Sequence, residues 1–231
     1  MKQKVINLII PLATILLCSG CGRMMEWTKT NFYQGEKLKK QFSFIPDYVR
    51  SVFVYDQFCT QGIFDALWLS DEVRTAYAES YAQRSGKSTE QKTQFLRRQL
   101  EENSQTITFI VLSLNNNPLG QSSSEWSVMM QIDDKHYLPT EIKQVDLCPD
   151  YKVFFGNRYN RFKTSYLVKF DVRDMQGNKL LNENVRQLIL DFRSLSKDAP
   201  LIWNFNEKGL IILPEHAYSS TVYQVNNPLP S

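Results

Sequence analysis

The chain has 231 residues, 27 Lys and Arg against 24 Asp and Glu, a formal net charge of +3, and 42% hydrophobic and 13% aromatic residues. That length supports one substantial core or two small ones, and so aromatic a composition excludes a disordered chain. A balance this close to neutral gives no electrostatic case for nucleic acid as a partner.

In chain order the first element is the cationic start Met1-Lys2-Gln3-Lys4, followed by the apolar run from Val5 to Leu17, broken only by Asn7, Pro11 and Thr14. As a helix this run is about 20 Å long, short of the ~30 Å hydrocarbon core, so it reads as an export signal and not as a permanent span. It ends in Leu17-Cys18-Ser19-Gly20-Cys21, small residues directly before a cysteine. This stretch resembles the lipobox of bacterial lipoproteins, although Cys18 stands where that pattern prefers Leu. The resemblance covers only the first two dozen residues. It implies removal of residues 1–20 as a signal peptide, a diacylglyceryl group on the thiol of Cys21, and attachment to the membrane through that lipid. Gly22, in place of the Asp that resembles an inner-membrane retention signal, points to the outer membrane. The rival readings are ordinary signal cleavage, an uncleaved anchor, and a redox C-x-x-C pair, which would sit beside a strand–helix pattern in a folded domain.

Loss of residues 1–20 leaves 211 residues, and the departure of Lys2 and Lys4 lowers the formal charge from +3 to +1. With Cys21 lipidated, Cys59 and Cys148 remain as an even pair in an oxidising compartment, where a disulfide between them is expected. Closing a loop of about 90 residues contributes about 4 kcal/mol on the chain-entropy model. The alternative is two separately buried thiols.

Residues 21–41, with Lys29, Lys37, Lys39 and Lys40, read as a tether, and a single globular domain is expected over 42–217. Arg50 to Asp56 is rich in β-branched and aromatic residues and predicts a strand. A helical hairpin follows within 66–103. Ser70 is the N-cap of its first helix, with Asp71 and Glu72 in the first turn and Leu69, Val73, Ala76, Tyr77, Ser80 and Tyr81 on one face. Ser88 to Gln91 has the form of a capping box, opening a second helix with the thinner stripe Phe95, Leu96, Gln99 and Leu100. The tyrosines Tyr77 and Tyr81 are read as helix-to-sheet core.

From Thr106 the period changes to two. Ile107–Leu114 is apolar on both faces, as a central strand would be, strands with alternating faces are predicted at 126–132, 166–172 and 188–193, and two further strands at 201–205 and 210–213 flank a turn. Turn residues separate them, at Asn115–Ser124, Gln176-Gly177-Asn178 and Glu207-Lys208-Gly209. The expected fold class is mainly β or α+β, an antiparallel, immunoglobulin-like β-sandwich carrying a helical hairpin, with a loose tail at 218–231.

The two histidines, His136 and His216, have no ligand spacing around them, and Asp133-Asp134-Lys135 reads as a turn, so no metal and no cofactor are expected. The chain has no G-x-S-x-G elbow and no phosphate-binding glycine loop, and no catalytic residue is assigned. Asp171/Arg173 and Asp191/Arg193 read as cross-strand neighbours on a solvated face. The segment Tyr151–Tyr166 holds six aromatics and the four cations Lys152, Arg158, Arg161 and Lys163 without an acid. Within it Arg158, Tyr159, Arg161 and Phe162 are the candidate binding residues. The competing reading packs Phe154, Phe155 and Phe162 into the core and leaves the arginines as a solubilising rim. The expected function is a non-enzymatic, lipid-anchored envelope protein that binds a protein partner or an envelope polymer. An envelope hydrolase with an acid–base site assembled from distant residues, or a carrier of small apolar ligands, are the alternatives.

Overall fold

The structure is a computed structural model that describes residues 45–56, 59–206, 211–212 and 221–222. The signal peptide, the tether, Cys21, His216 and the tail from 218, apart from Thr221 and Val222, lie outside the described residues. All described residues belong to one unit, 44–231.

Among the described residues eleven strands form two sheets. They are β1 (Val49–Asp56), β2 (Cys59–Trp68), β3 (Thr106–Leu114), β4 (Ser127–Ile132), β5 (Lys135–Tyr137), β6 (Glu141–Gln144), β7 (Lys163–Asp171), β8 (Gln187–Arg193), β9 (Asp198–Phe205), β10 (Ile211–Ile212) and β11 (Thr221–Val222). The larger sheet has the order β11-β1-β2-β3-β7-β6 and the smaller β10-β9-β8-β4-β5. Every pairing is antiparallel except that of β11 with β1. This is the antiparallel sandwich with a helical hairpin that the alternation of apolar residues predicts.

Period-two side chains fill the space between the sheets. From the larger sheet Val52, Phe64, Phe109 and Phe170 point inward, and from the smaller Met130, Leu190, Phe192 and Trp203 meet them. Phe64 stacks on Phe192 at 4.2 Å and takes the edge of Trp126 at 5.0 Å. Offset and edge-on contacts of this kind add to the burial of large apolar side chains. At one edge the Nε1–H of Trp203 donates to the Tyr48 carbonyl (2.9 Å), and Nε of Arg50 donates to the Ile202 carbonyl (2.8 Å), which ties the start of β1 to β9.

β3 is apolar on both faces because its outer face is also covered. Leu67, Ile110 and Leu112 are buried there beneath three helices, α1 (Asp71–Arg84), α2 (Thr89–Asn103) and α3 (Pro149–Phe155). Ser70 caps α1 by accepting from the Val73 N–H, and Ser88 and Gln91 form the expected capping box of α2. α1 buries Val73, Ala76 and Ala82, whereas α2 buries no residue fully and offers Phe95, Leu96, Gln99 and Leu100 as half-buried contacts. Tyr77 and Tyr81 join Phe95 and Tyr151 in an aromatic cluster between the helices, with ring centroids 4.4 Å apart for Tyr77–Tyr151 and 4.7 Å for Tyr81–Phe95.

Five elements have no counterpart in the sequence reading: β2, β5, β6, α3 and β11, the last of which pairs with β1 inside the segment expected to be a loose tail. β2 lacks clean alternation because Asp65 stands within Ile63-Phe64-Asp65-Ala66-Leu67-Trp68. The disulfide expectation is corrected as well, since Cys59 and Cys148 are both free thiols, the first exposed and the second half-buried. Cys59 opens β2 opposite Asp56, six strand residues or about 20 Å beyond the row that contains Asp65. Cys148 sits at the start of α3 against the Tyr77 hydroxyl of α1.

Candidate functional site

The aromatic–basic segment folds as a helix, a tight turn and a ridge. Pro149 occupies the first turn of α3, where its missing N–H is not needed. Asp150 beside it is buried and accepts from the Ser80 hydroxyl (2.6 Å) and from the Arg84 guanidinium (2.8 Å), locking α3 to α1. Phe154 and Phe155 are buried at 3% and 1% exposure, while Phe162 stands 60% exposed, so the three phenylalanines divide between core and surface. Gly156, at φ 56°, ends α3 in a left-handed conformation that costs glycine little.

From there the chain is held at two points by one buried carboxylate. Nε of Arg158 donates to the Ser51 hydroxyl (2.9 Å), which donates to Oδ1 of Asp65 (2.6 Å), and the Lys163 ammonium pairs with Oδ2 of the same Asp65. Asp65 is 1% exposed and the Lys163 side chain 7%. The residues between these anchors, Tyr159 to Phe162, bulge outward. Asn115, in the loop after β3, fastens the bulge: its N–H donates to the Phe162 carbonyl (3.0 Å) and its side-chain amide to the Arg161 carbonyl (3.2 Å). The Phe162 N–H in turn donates to the side-chain oxygen of Asn160 (3.0 Å).

On this backbone two cations lie over two rings. The Arg161 guanidinium is 4.8 Å from the centre of the Phe162 ring, and the Lys152 ammonium is 5.1 Å from that of Tyr159. Arg161 and Phe162 are exposed, Tyr159 and Arg158 half-buried. Arg158 therefore points partly inward, into the Ser51–Asp65 network, and is not a purely external anchor.

No family model matches the chain, and neither a curated protein nor a solved structure matches it. The ridge is read from its own chemistry.

Elsewhere His136 and Asp171 share the lining of a cavity of about 550 Å³ with Lys135, Arg173 and Met175. Among the described residues no three His, Cys, Asp or Glu side chains gather at metal-binding reach. The expected turn at Asp133-Asp134 joins β4 to β5, with Asp133 at φ 53°. Asp191 and Arg193 are neighbours along β8 and not across strands. Nε of Arg193 donates to Oδ2 of Asp191 (2.6 Å), the aspartate is only 4% exposed, and its Oδ1 is buried without a partner among the described residues. A second cavity, of about 640 Å³, is walled by Trp126, Ser124, Arg193 and Leu195, and a third, of about 620 Å³, by Trp68, Leu181, Val185 and Phe205.

Ser51, Asp65 and Asn115, which position the ridge, were not singled out in the sequence. Asp65 alone carried a signal, as a carboxylate set inside an apolar run. Such a charge is buried only if it finds a partner, but its partner is 98 residues away.

Proposed function

We propose that this chain is a lipid-anchored protein of the cell envelope, held on the outer membrane through Cys21, that acts without catalysis by binding an envelope protein or polymer through the ridge Tyr159–Phe162. The observation that carries the binding reading is the exposed Arg161–Phe162 pair, held on a backbone that Asn115 and Asn160 fix on its own. A surface already ordered before a partner arrives loses little conformational freedom on binding, and Arg and aromatic side chains are the residue types that dominate such contacts. The anchor is supported by Leu17-Cys18-Ser19-Gly20-Cys21.

The test of binding is a pull-down from detergent-solubilised membranes with the wild-type chain and with Arg161→Ala/Phe162→Ala. Capture of the partner is expected to weaken about tenfold or more in the variant. Equal capture by both proteins would remove the ridge from the function. For the anchor, Cys21→Ser is expected to abolish partition into the detergent phase, because acyl chains contribute about 0.8 kcal/mol per buried CH₂. Full membrane retention of that variant in carbonate washes would refute lipidation.

A further inference from the structure

We infer that the ridge recognises an acidic polysaccharide, an inference that rests on the reading of Tyr159–Phe162 as a binding surface. Tyr151–Tyr166 carries four cations and no acid, and only Lys163 is neutralised, by Asp65. Arg158 gives its Nε to Ser51 and has no partner for its terminal amino groups among the described residues, while Arg161 and Lys152 contact only rings. Three cations are thus left to meet anions arriving from solvent.

These cations stand among amides and rings. The exposed amides Asn157 and Asn160 alternate with Arg158 and Arg161 along Gly156-Asn157-Arg158-Tyr159-Asn160-Arg161-Phe162. Amides donate to and accept from hydroxyl groups, and aromatic rings pack against the C–H faces of sugars. Guanidinium groups take carboxylates through paired N–H donors. A hydrocarbon surface would be served by apolar neighbours in place of the amides.

Arg161 and Phe162 are exposed and no residue of the ridge lines the cavities described above, so the surface suits a chain laid across it better than a small molecule enclosed by it. A polymer with an anion on each repeat can meet Lys152, Arg158 and Arg161 together, and several weak contacts then add to a useful affinity.

The experiment uses the processed chain, residues 21–231, carrying Cys21→Ser so that no acyl chain contributes. Retention is measured on immobilised alginate, neutral dextran and poly-L-glutamate, and on vesicles of phosphatidylglycerol. The expected result is binding to alginate that falls with added salt, exceeds binding to polyglutamate, and is absent on dextran. Arg161→Ala and Phe162→Ala should each weaken it about tenfold, with circular dichroism melts unchanged. Lys152→Ala, on a different element, should weaken it as well, which keeps the test independent of the fold of the ridge itself. Absence of alginate binding, equal binding to polyglutamate, stronger retention on the vesicles, or indifference to Phe162→Ala would each overturn the inference. If alginate binding fails while the membrane pull-down still depends on Arg161 and Phe162, the binding function stands and the glycan is discarded.

Discussion

Between the two sheets Phe64 stacks on Phe192, Trp203 tilts against Phe109, and the cluster that fills the space is apolar throughout. On the helical side of the larger sheet, Asp65 of β2, Arg74 of α1 and Asp150 of α3 are each 3% exposed or less. Each finds partners from distant segments: Lys163 and Ser51 for Asp65, Asn103, Gln99 and Glu102 for Arg74, Ser80 and Arg84 for Asp150. Hydrophobic packing is non-directional and tolerates exchange of one apolar residue for another of similar volume. A buried charge is tolerated only with its partner in place, so the helical face is specified pair by pair. The ridge is attached to this second face, which is why its orientation depends on Asp65.

The comparison is broken most directly by two substitutions of equal expected size and different repair. Asp65→Ala leaves Lys163 buried without a counter-charge and is expected to cost about 3–5 kcal/mol in urea unfolding. Replacing both residues, Asp65→Leu with Lys163→Met, should recover most of that loss. Phe192→Ala, in the sandwich, should also cost about 3–5 kcal/mol, through the cavity it leaves. If the double variant is no more stable than Asp65→Ala, the pairwise account of the helical face is wrong.

A pH titration sharpens the same contrast. Burial, and then the neighbouring Cys148 and Asp150, raises the Tyr77 hydroxyl above its ordinary value. Burial also raises that of Tyr151, against the pull of Arg74. A phenol raised in the fold contributes stability that is complete below about pH 10 and is lost as the pH climbs past it toward the folded value. The helical face is therefore expected to loosen in alkali before the sandwich does, with tyrosinate absorbance rising together with loss of helical circular dichroism. Tyr151→Phe should delay that transition, and an unchanged alkaline profile in this variant would count against the assignment.

Ser88→Ala removes the capping box of a helix that buries no residue fully, and about 1 kcal/mol of stability should go with it. Amide exchange would place that loss in α2 and leave the sheets unaffected. The smallest effect is expected at the ridge. Arg161→Ala and Phe162→Ala should each change the unfolding free energy by no more than about 0.5 kcal/mol, since both side chains are exposed. A larger change in either would mean that the pair is part of the fold and not displayed by it.

Much of the layered fold was legible in local pattern. Alternation placed the strands around Val128, Val168 and Leu190, and a turn signal marked the strand that begins at Leu201. Ser70 and the Ser88–Gln91 box marked two helix starts, and continuous apolarity in Ile107–Leu114 marked a strand covered on both sides. These signals survive because period-two burial and helix capping are satisfied by residues a few positions apart. What pattern could not supply was any relation across distance. Lys163 was readable as one cation among four, but only the tertiary fold brings it to Asp65, and only the partner makes that burial tolerable. Cys59 and Cys148 suggested a pair by number, but one opens β2, the other caps the start of α3, and both are free thiols. Phe154, Phe155 and Phe162 are the same residue type within nine positions. Which two enter the core and which one stands in water was decided by the left-handed Gly156 turn and by the hydrogen bonds of Asn115, because the direction of a side chain leaving a loop is set by whatever holds that loop from outside.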